Sequence, residues 1–111
     1  MDTILIATHL PDRALALKLA TTLVKERLAA CVNVGAPSTS VYRWEGAVET
    51  AEEIPVSIKT TKARYAEVEA RVLALHPYEL PELVVVGIEG GLGPYLAWIG
   101  AETAPATPGP T

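Results

Sequence analysis

The segment His76–Glu82 holds the densest group of side chains that could do chemistry. It reads His-Pro-Tyr-Glu-Leu-Pro-Glu, so two prolines restrict the backbone around an imidazole, a phenol and two carboxylates. Loops held on a rigid scaffold carry a large share of binding residues, which favours a ligand-binding loop here. The alternative is a helix stop followed by a stiff connection to the next strand. The residues alone leave both interpretations open.

The other candidates for metal binding are few and far apart in the chain. There are two histidines, His9 and His76, and one cysteine, Cys31. Imidazole and thiolate groups bind copper and zinc, but no pair here has the close spacing of a structural zinc site. A lone cysteine at the start of an apolar strand is typically a small buried side chain. We therefore expect that folding requires no metal or other cofactor.

Motifs for covalent and phosphate chemistry are missing from the sequence. No Gly-x-Ser-x-Gly segment marks a nucleophilic serine. The glycines at 90, 91 and 93 precede a predicted helix, but they lack the full phosphate-loop and dinucleotide-binding patterns. We expect a protein that is not an enzyme.

Composition excludes several classes of protein. The chain has 111 residues, 50% of them hydrophobic, which suits one domain with its own core. Nine basic against thirteen acidic residues give a formal charge of −4, which argues against nucleic acid or an anionic membrane as partner. The most apolar stretch, Leu83–Ile88, is too short to span a bilayer. No signal-peptide pattern opens the chain and one cysteine cannot form an internal disulfide, so we expect a cytoplasmic protein.

The hydrophobic pattern predicts the order strand, helix, strand, strand, helix, strand, helix. Strands are expected over 3–8, 30–44, 53–60 and 83–88, and the second of these is interrupted at 35–38. Helices are expected over 14–28, over 62–75 and from residue 93 onward. The first six elements have the βαββαβ order of a ferredoxin-like α+β fold, to which the last helix is an extra C-terminal element. We expect one domain over 1–103 and a proline-rich loose tail over 104–111.

Local patterns refine these elements. Ile54, Val56 and Ile58 alternate with other residues and should share a buried face, whereas Pro55 predicts an edge position for its end of the strand. Thr61 is the expected N-cap of the second helix. Apolar residues spaced three and four apart predict the face of each helix that points to the core. In the first helix these are Ala14, Leu17, Thr21, Val24 and Leu28, and Leu15, Leu19 and Leu23 widen the stripe. In the second helix they are Tyr65, Val68, Val72 and Leu75.

The predicted fold leaves part of its sheet without a cover. Two right-handed crossovers place both crossover helices on one face of the sheet. The first and last strands are nevertheless apolar on both faces. A partner subunit is the simplest cover for the second face, so we expect an oligomer.

Five segments, taken in order, resemble the CutA family of divalent-cation tolerance proteins. They are Leu28–Asn33, Ser40–Gly46, Lys59–Thr61, His76–Glu82 and Tyr95–Ile99, and together they extend over roughly residues 3 to 101. The resemblance implies a ferredoxin-like protomer in a tight homotrimer whose sheets pair edge to edge. It also implies a link to divalent cations, copper above all, and a likeness to the PII signalling proteins, whose ligand clefts lie between subunits.

The resemblance also implies where a metal would bind. Metal sites described in the family use a cysteine at the end of the first strand and a His-His pair before Pro-Tyr. The matching positions of this chain hold Thr8, Leu75 and His76. Only His76 keeps the family's ligand type, with His9 adjacent to Thr8 in sequence.

These observations predict a trimeric copper-tolerance protein that binds a metal ion or small ligand in clefts between subunits. The expected ligand pocket consists of Tyr42, Trp44, Lys59, Tyr78 and Glu79, and the candidate metal ligands are His76, His9 and Cys31. One alternative is a small hydrolase that uses Lys59, Glu79 and His76 for acid–base chemistry. The other alternative is a non-catalytic trimeric scaffold.

Overall fold

Residues 2–105 fold into an α+β structure with a five-stranded antiparallel sheet and three α-helices. The computed structural model describes residues 2–105. The elements are β1 (Thr3–Leu10), α1 (Arg13–Lys25), β2 (Cys31–Val34), β3 (Ser38–Trp44), β4 (Ala47–Thr61), a 3₁₀ turn (Lys62–Arg64), α2 (Tyr65–Leu75), β5 (Val84–Gly87) and α3 (Gly93–Glu102). Of the predicted tail 104–111, residues 106–111 lie outside the described part of the chain.

The long strand β4 organises the sheet. Its second half pairs with β1 on one side and β2 on the other, and its first half forms a hairpin with β3, giving the order β2-β4-β1-β5 with β3 beside β4. The predicted interruption between β2 and β3 is present. It lies opposite Pro55, whose carbonyl oxygen accepts a hydrogen bond from the Gly35 N–H at 2.9 Å.

The edge position predicted for Pro55 is wrong. Pro55 lies inside the sheet, opposite His9 of β1. Its backbone nitrogen faces the break between β2 and β3, where the ladder needs no N–H donor. A proline is tolerated inside a sheet at such a bulge-like break.

The core fills the space between one face of the sheet and the helices α1 and α2. Alternate residues of β4 point to this face, so the shared burial of Ile54, Val56 and Ile58 is confirmed. The same face of β1 contributes Ile6 and Leu10, opposite Ile58 and Ile54. From α2 the core takes Val68 and Val72, as predicted.

The predicted inward stripe of α1 is only partly correct. Leu19, Leu23 and Leu28 are buried as expected, but Leu17 and Val24 are 46% and 45% exposed. The buried series within the helix is Ala16, Leu19 and Leu23, and the exposed series is Leu17, Thr21 and Val24. Both series have steps of three and four, so periodicity alone could not choose between them. The helix packs against a single sheet face and therefore buries one stripe only.

The predicted N-cap of the second helix is correct in position only. Thr61 precedes the 3₁₀ turn that leads into α2, but it makes no capping hydrogen bond with its side chain. Its hydroxyl lies 3.4 Å from the hydroxyl of Thr103, at the end of α3. The third helix itself begins at Gly93-Pro94, as predicted.

A tight turn at Glu45-Gly46 joins β3 to β4. Both residues have positive φ, 49° and 81°, which is the pattern of a type I′ hairpin turn. The outer part of this hairpin projects from the body of the molecule, whose extents are 56 × 33 × 23 Å. Its strands therefore present both faces and one edge for further contacts.

Opposite substitutions in this turn should change the free energy of unfolding in opposite directions. Gly46→Ala should lower it by about 1 kcal/mol, because a Cβ at positive φ is strained. Glu45→Asn should raise it by about 0.5 kcal/mol, because asparagine is favoured at the first position of this turn. Urea unfolding at one protein concentration measures both, and equal effects of the same sign would contradict the turn assignment.

Candidate functional site

An open cavity of about 890 Å³ lies between the β3–β4 hairpin and the loop 77–82 that joins α2 to β5. The size lies within the range of small-molecule sites. The alternation of β3 aims Ser40, Tyr42 and Trp44 to one side of the hairpin, and all three line the cavity. The loop contributes Tyr78 and Glu79 from the opposite wall.

The loop is fixed to the end of β1 by the side chain of His76. This residue is 8% exposed, and its Nε2 lies 2.6 Å from the carbonyl oxygen of His9. Its Nδ1 accepts a hydrogen bond from the Tyr78 N–H at 3.2 Å. Because Nδ1 is an acceptor, we assign the ring proton to Nε2, which donates to His9. Both ring nitrogens are thereby engaged.

Two further contacts hold the same loop. The Thr8 hydroxyl donates a hydrogen bond to the carbonyl oxygen of Glu82 at 2.6 Å. The Nδ1 of His9 lies 3.1 Å from a carboxylate oxygen of Glu82, and this pair is partly open to solvent. The imidazole of His9 is therefore the more accessible of the two histidines.

The pKa of Tyr78 is raised to about 12, chiefly by burial. A hydrogen bond to the nearby carboxylate of Glu53, the charge of that carboxylate and Tyr42 act in the same direction. The phenol therefore stays protonated at neutral pH. Its single O–H is directed to the carboxylate of Glu53, and the phenol does not act as a base.

The cavity wall carries four carboxylates, those of Glu49, Glu53, Glu79 and Glu82, and one guanidinium, that of Arg43. Glu49 and Glu53 were missed by the sequence analysis, because the strand was expected to begin at residue 53. The even spacing of Glu49 and Glu53 along an extended strand was the pattern that could have identified them. It places both carboxylates on the face that carries Tyr42.

The structure separates the predicted pocket residues into two groups. Tyr42, Trp44, Tyr78 and Glu79 line one cavity, together with His9. Lys59 lies elsewhere, on β4 opposite Cys31 of β2. Its ammonium group is 3.4 Å from the side-chain oxygen of Asn33 and 5.8 Å from the centre of the Tyr95 ring.

The candidate metal ligands do not converge. Cys31 lies on β2, away from the two histidines, and His76 contacts only the backbone of His9. Within residues 2–105 no three His, Cys, Asp or Glu side chains are grouped as a metal site. Thr8 is buried and Leu75 packs against the core. In the same part of the chain, no helix has the length and apolarity needed to cross a membrane.

This combination of an antiparallel sheet, three helices and a projecting hairpin defines a known class of small α+β proteins. The family model described as CutA1 divalent ion tolerance protein matches residues 4–102. The chain belongs to this family. The description names a tolerance protein and does not name an enzyme.

Relatives and solved structures agree with this assignment. The chain is similar to the divalent-cation tolerance protein CutA of Thermus thermophilus, with 41% identity over 93% of this chain and 99% of the relative. The crystal structure of CutA from Xylella fastidiosa matches with a TM-score of 0.90 at 42% identity, over 94% of this chain and all of the other. CutA1 from Oryza sativa matches with a TM-score of 0.91 at 34% identity, over 96% and 97% of the two chains.

Proposed function

We propose that this protein is a homotrimeric divalent-cation tolerance protein that binds a cation in the cavity between the β3–β4 hairpin and the loop 77–82. The observation that carries the proposal is the cavity wall, which combines aromatic rings with an excess of carboxylates. Such a wall attracts positive charge. The family's description, a divalent ion tolerance protein, names the same class of ligand.

The protomer of this proposal is a single ferredoxin-like domain over residues 1–103. With β2 and β3 taken as one interrupted strand, the strand order 2-4-1-5 is that of the split βαβ arrangement. Within residues 2–105, two edges of the sheet have no neighbouring strand, because β3 pairs there only with β4 and β5 only with β1. Edges of this kind are sites for strand pairing between protomers.

The apolar surface of β5 supports the trimer. Val84, Val85 and Val86 are 50%, 41% and 53% exposed in the protomer. On the projecting hairpin, Val41, Tyr42 and Val48 are exposed as well. A threefold assembly that pairs these surfaces covers both, and it places the cavity at a cleft between subunits.

The proposed role is non-catalytic binding. The hydrolase alternative needs Lys59, Glu79 and His76 to act together, but Lys59 does not line the cavity and His76 uses both ring nitrogens to hold the loop. We propose a cytoplasmic location for this chain. The names of two relatives give other compartments: the Arabidopsis thaliana protein is called chloroplastic and the Archaeoglobus fulgidus protein is called periplasmic.

Copper is the metal that we propose for this chain, with His9 as the ligand. Copper(II) favours imidazole nitrogen and accepts carboxylate oxygen, and His9 with Glu82 is the accessible pair of this kind. Because the described part of the protomer groups no third ligand with this pair, binding should be weak.

Calorimetric titration with copper(II) tests this role. His9→Gln should weaken binding by about ten-fold or more, the loss expected when one strong ligand is removed. Cys31→Ala is the matched control and should leave the affinity unchanged. Tight binding that survives His9→Gln, or binding abolished by Cys31→Ala, would show that the ligand is wrongly assigned.

A further inference from the structure

The outer face of α1 carries an apolar line that remains exposed within residues 2–105. Leu17 and Val24 lie on this line and are each close to half exposed. Ala14 and Thr21 complete it and are exposed as well. The four residues follow one another at steps of three and four, so they share one side of the helix. We call this line the outer seam; the opposite face of α1 packs into the core.

The steps of the outer seam are those of a coiled-coil contact. In a heptad repeat labelled a to g, the residues at a and d meet the partner helix, and those at e and g flank the contact. Ala14 and Thr21 take the a positions of α1, and Leu17 and Val24 take the d positions. Because both a positions carry small side chains, a second helix can approach closely along this line.

Cations flank the outer seam on both sides. Lys18 and Lys25 occupy the e positions, Arg13 and Ala20 occupy the g positions, and the three basic residues are exposed. No acidic residue lies in α1. Among residues 2–105 none of the three cations forms a salt bridge, and Arg13 has one long hydrogen bond, 3.4 Å, to the carbonyl oxygen of Gly35. The flanks therefore suit the carboxylates of a partner.

The carboxylates that border α1 are engaged elsewhere. Asp12 accepts a hydrogen bond from the Leu15 N–H at 2.8 Å as the N-cap of the helix. Glu26 pairs with Arg71 of α2 at 2.6 Å. A single exposed leucine or valine needs no explanation, but an apolar line flanked by charges of one sign defines its complement. That complement is apolar at a and d and acidic at e and g.

The charge pattern also discriminates between occupants. A second copy of α1 would bring basic side chains against basic side chains, because the e and g positions of paired helices face each other. An anionic membrane would attract the lysines, but a helix at a membrane interface inserts a broad face of bulky apolar residues. The outer seam has only one leucine and one valine beside an alanine and a threonine. A narrow acidic helix fits both its width and its charge.

We infer that the outer face of α1 is a docking surface for an acidic amphipathic helix of another protein. The apolar residues of that helix pack on Leu17 and Val24, and its carboxylates pair with Lys18 and Lys25. Helix-in-groove recognition of this kind uses anchors at steps of three, four and seven residues. The surface lies on the helix side of the sheet, so it is separate from the cation cavity.

Fluorescence anisotropy of a labelled acidic peptide, titrated with the full chain, tests the inference. The peptide consists of three repeats of Glu-Ile-Ala-Ala-Leu-Glu-Lys, which places apolar residues at a and d and glutamate at e and g. The full chain should bind it, and added salt should weaken the binding. Leu17→Ser should weaken it by about ten-fold, because an apolar anchor is lost.

Charge reversal separates the docking surface from the net charge of the chain. Lys25→Glu should weaken binding by about five-fold, because an attractive pair becomes a repulsive one. Lys62→Glu is the matched control, since it makes the same change at an exposed lysine outside α1, and it should alter the dissociation constant by less than about two-fold. The double variant Lys18→Glu with Lys25→Glu should bind a peptide with lysine at e and g more tightly than the wild type does.

Three results would overturn the inference. They are no binding of the acidic peptide, equal weakening by Lys25→Glu and Lys62→Glu, and binding of phosphatidylserine vesicles without binding of the peptide. The last result would assign the surface to a membrane. All substituted positions are exposed or half-exposed, and thermal unfolding checks that each variant is folded.

Discussion

Replacing His76 with alanine should lower the free energy of unfolding by about 2 kcal/mol, because two partly buried backbone groups lose their partners. The imidazole bonds the carbonyl oxygen of His9 and the N–H of Tyr78, and its ring packs against the Tyr78 ring with centroids 4.6 Å apart. No other described side chain makes both of these contacts. The substitution should therefore release the loop 77–82 as well as destabilise the fold.

The control for this prediction is the other histidine. His9→Ala removes a partly exposed ion pair with Glu82, which should cost less than about 1 kcal/mol. Urea unfolding of the two variants at one protein concentration measures the difference. If both variants lose the same free energy, His76 does not hold the loop as described.

Replacing Val86 with lysine should dissociate the proposed trimer. Val86 is 53% exposed on the edge strand β5, and a lysine there would carry its charge into an apolar contact between subunits. Sedimentation velocity at micromolar concentration should show a monomer in place of the wild-type trimer.

The matched control is Val24→Lys, which makes the same change at a similarly exposed position on α1, at 45% exposure. Because α1 covers the core side of the sheet near β2, at the opposite end of the strand order from β5, this variant should keep the wild-type mass. If Val86→Lys and Val24→Lys both have the same oligomeric state as the wild type, β5 does not contribute to assembly.

Much of the fold could be predicted because the determining interactions are local. Alternation over Ile54, Val56 and Ile58 identifies a buried strand face without knowledge of any partner. Gly93-Pro94 starts a helix for reasons contained in two residues. The same holds for the break at Gly35, which the sequence marks with its own turn residues.

The features that could not be predicted depend on distant parts of the chain. Which stripe of α1 is buried is decided by where the sheet lies, since Leu17 and Leu19 are equally apolar. Pro55 reads as an edge residue until the break between β2 and β3 is placed opposite it. Thr61 takes a partner at Thr103, which is 42 residues away in the chain.

The candidate site shows the same division. Tyr42, Trp44, Tyr78 and Glu79 were chosen from their segments, and they line a common cavity. Lys59 was chosen in the same way, but the register of β4 places it beside Cys31, on the part of β4 that pairs with β2. Glu53 was visible only as an outward residue of a strand. Its burial follows from its place in the fold and could not be deduced from its neighbours in sequence.

The mass of the wild-type protein tests the trimeric cation-binding account most directly, because the proposed cleft requires neighbouring subunits. Light scattering after size exclusion, with the full chain at micromolar concentration, measures it without a probe or a substitution. The account predicts three times the protomer mass of 11.8 kDa. A single protomer mass across the eluting peak would contradict it.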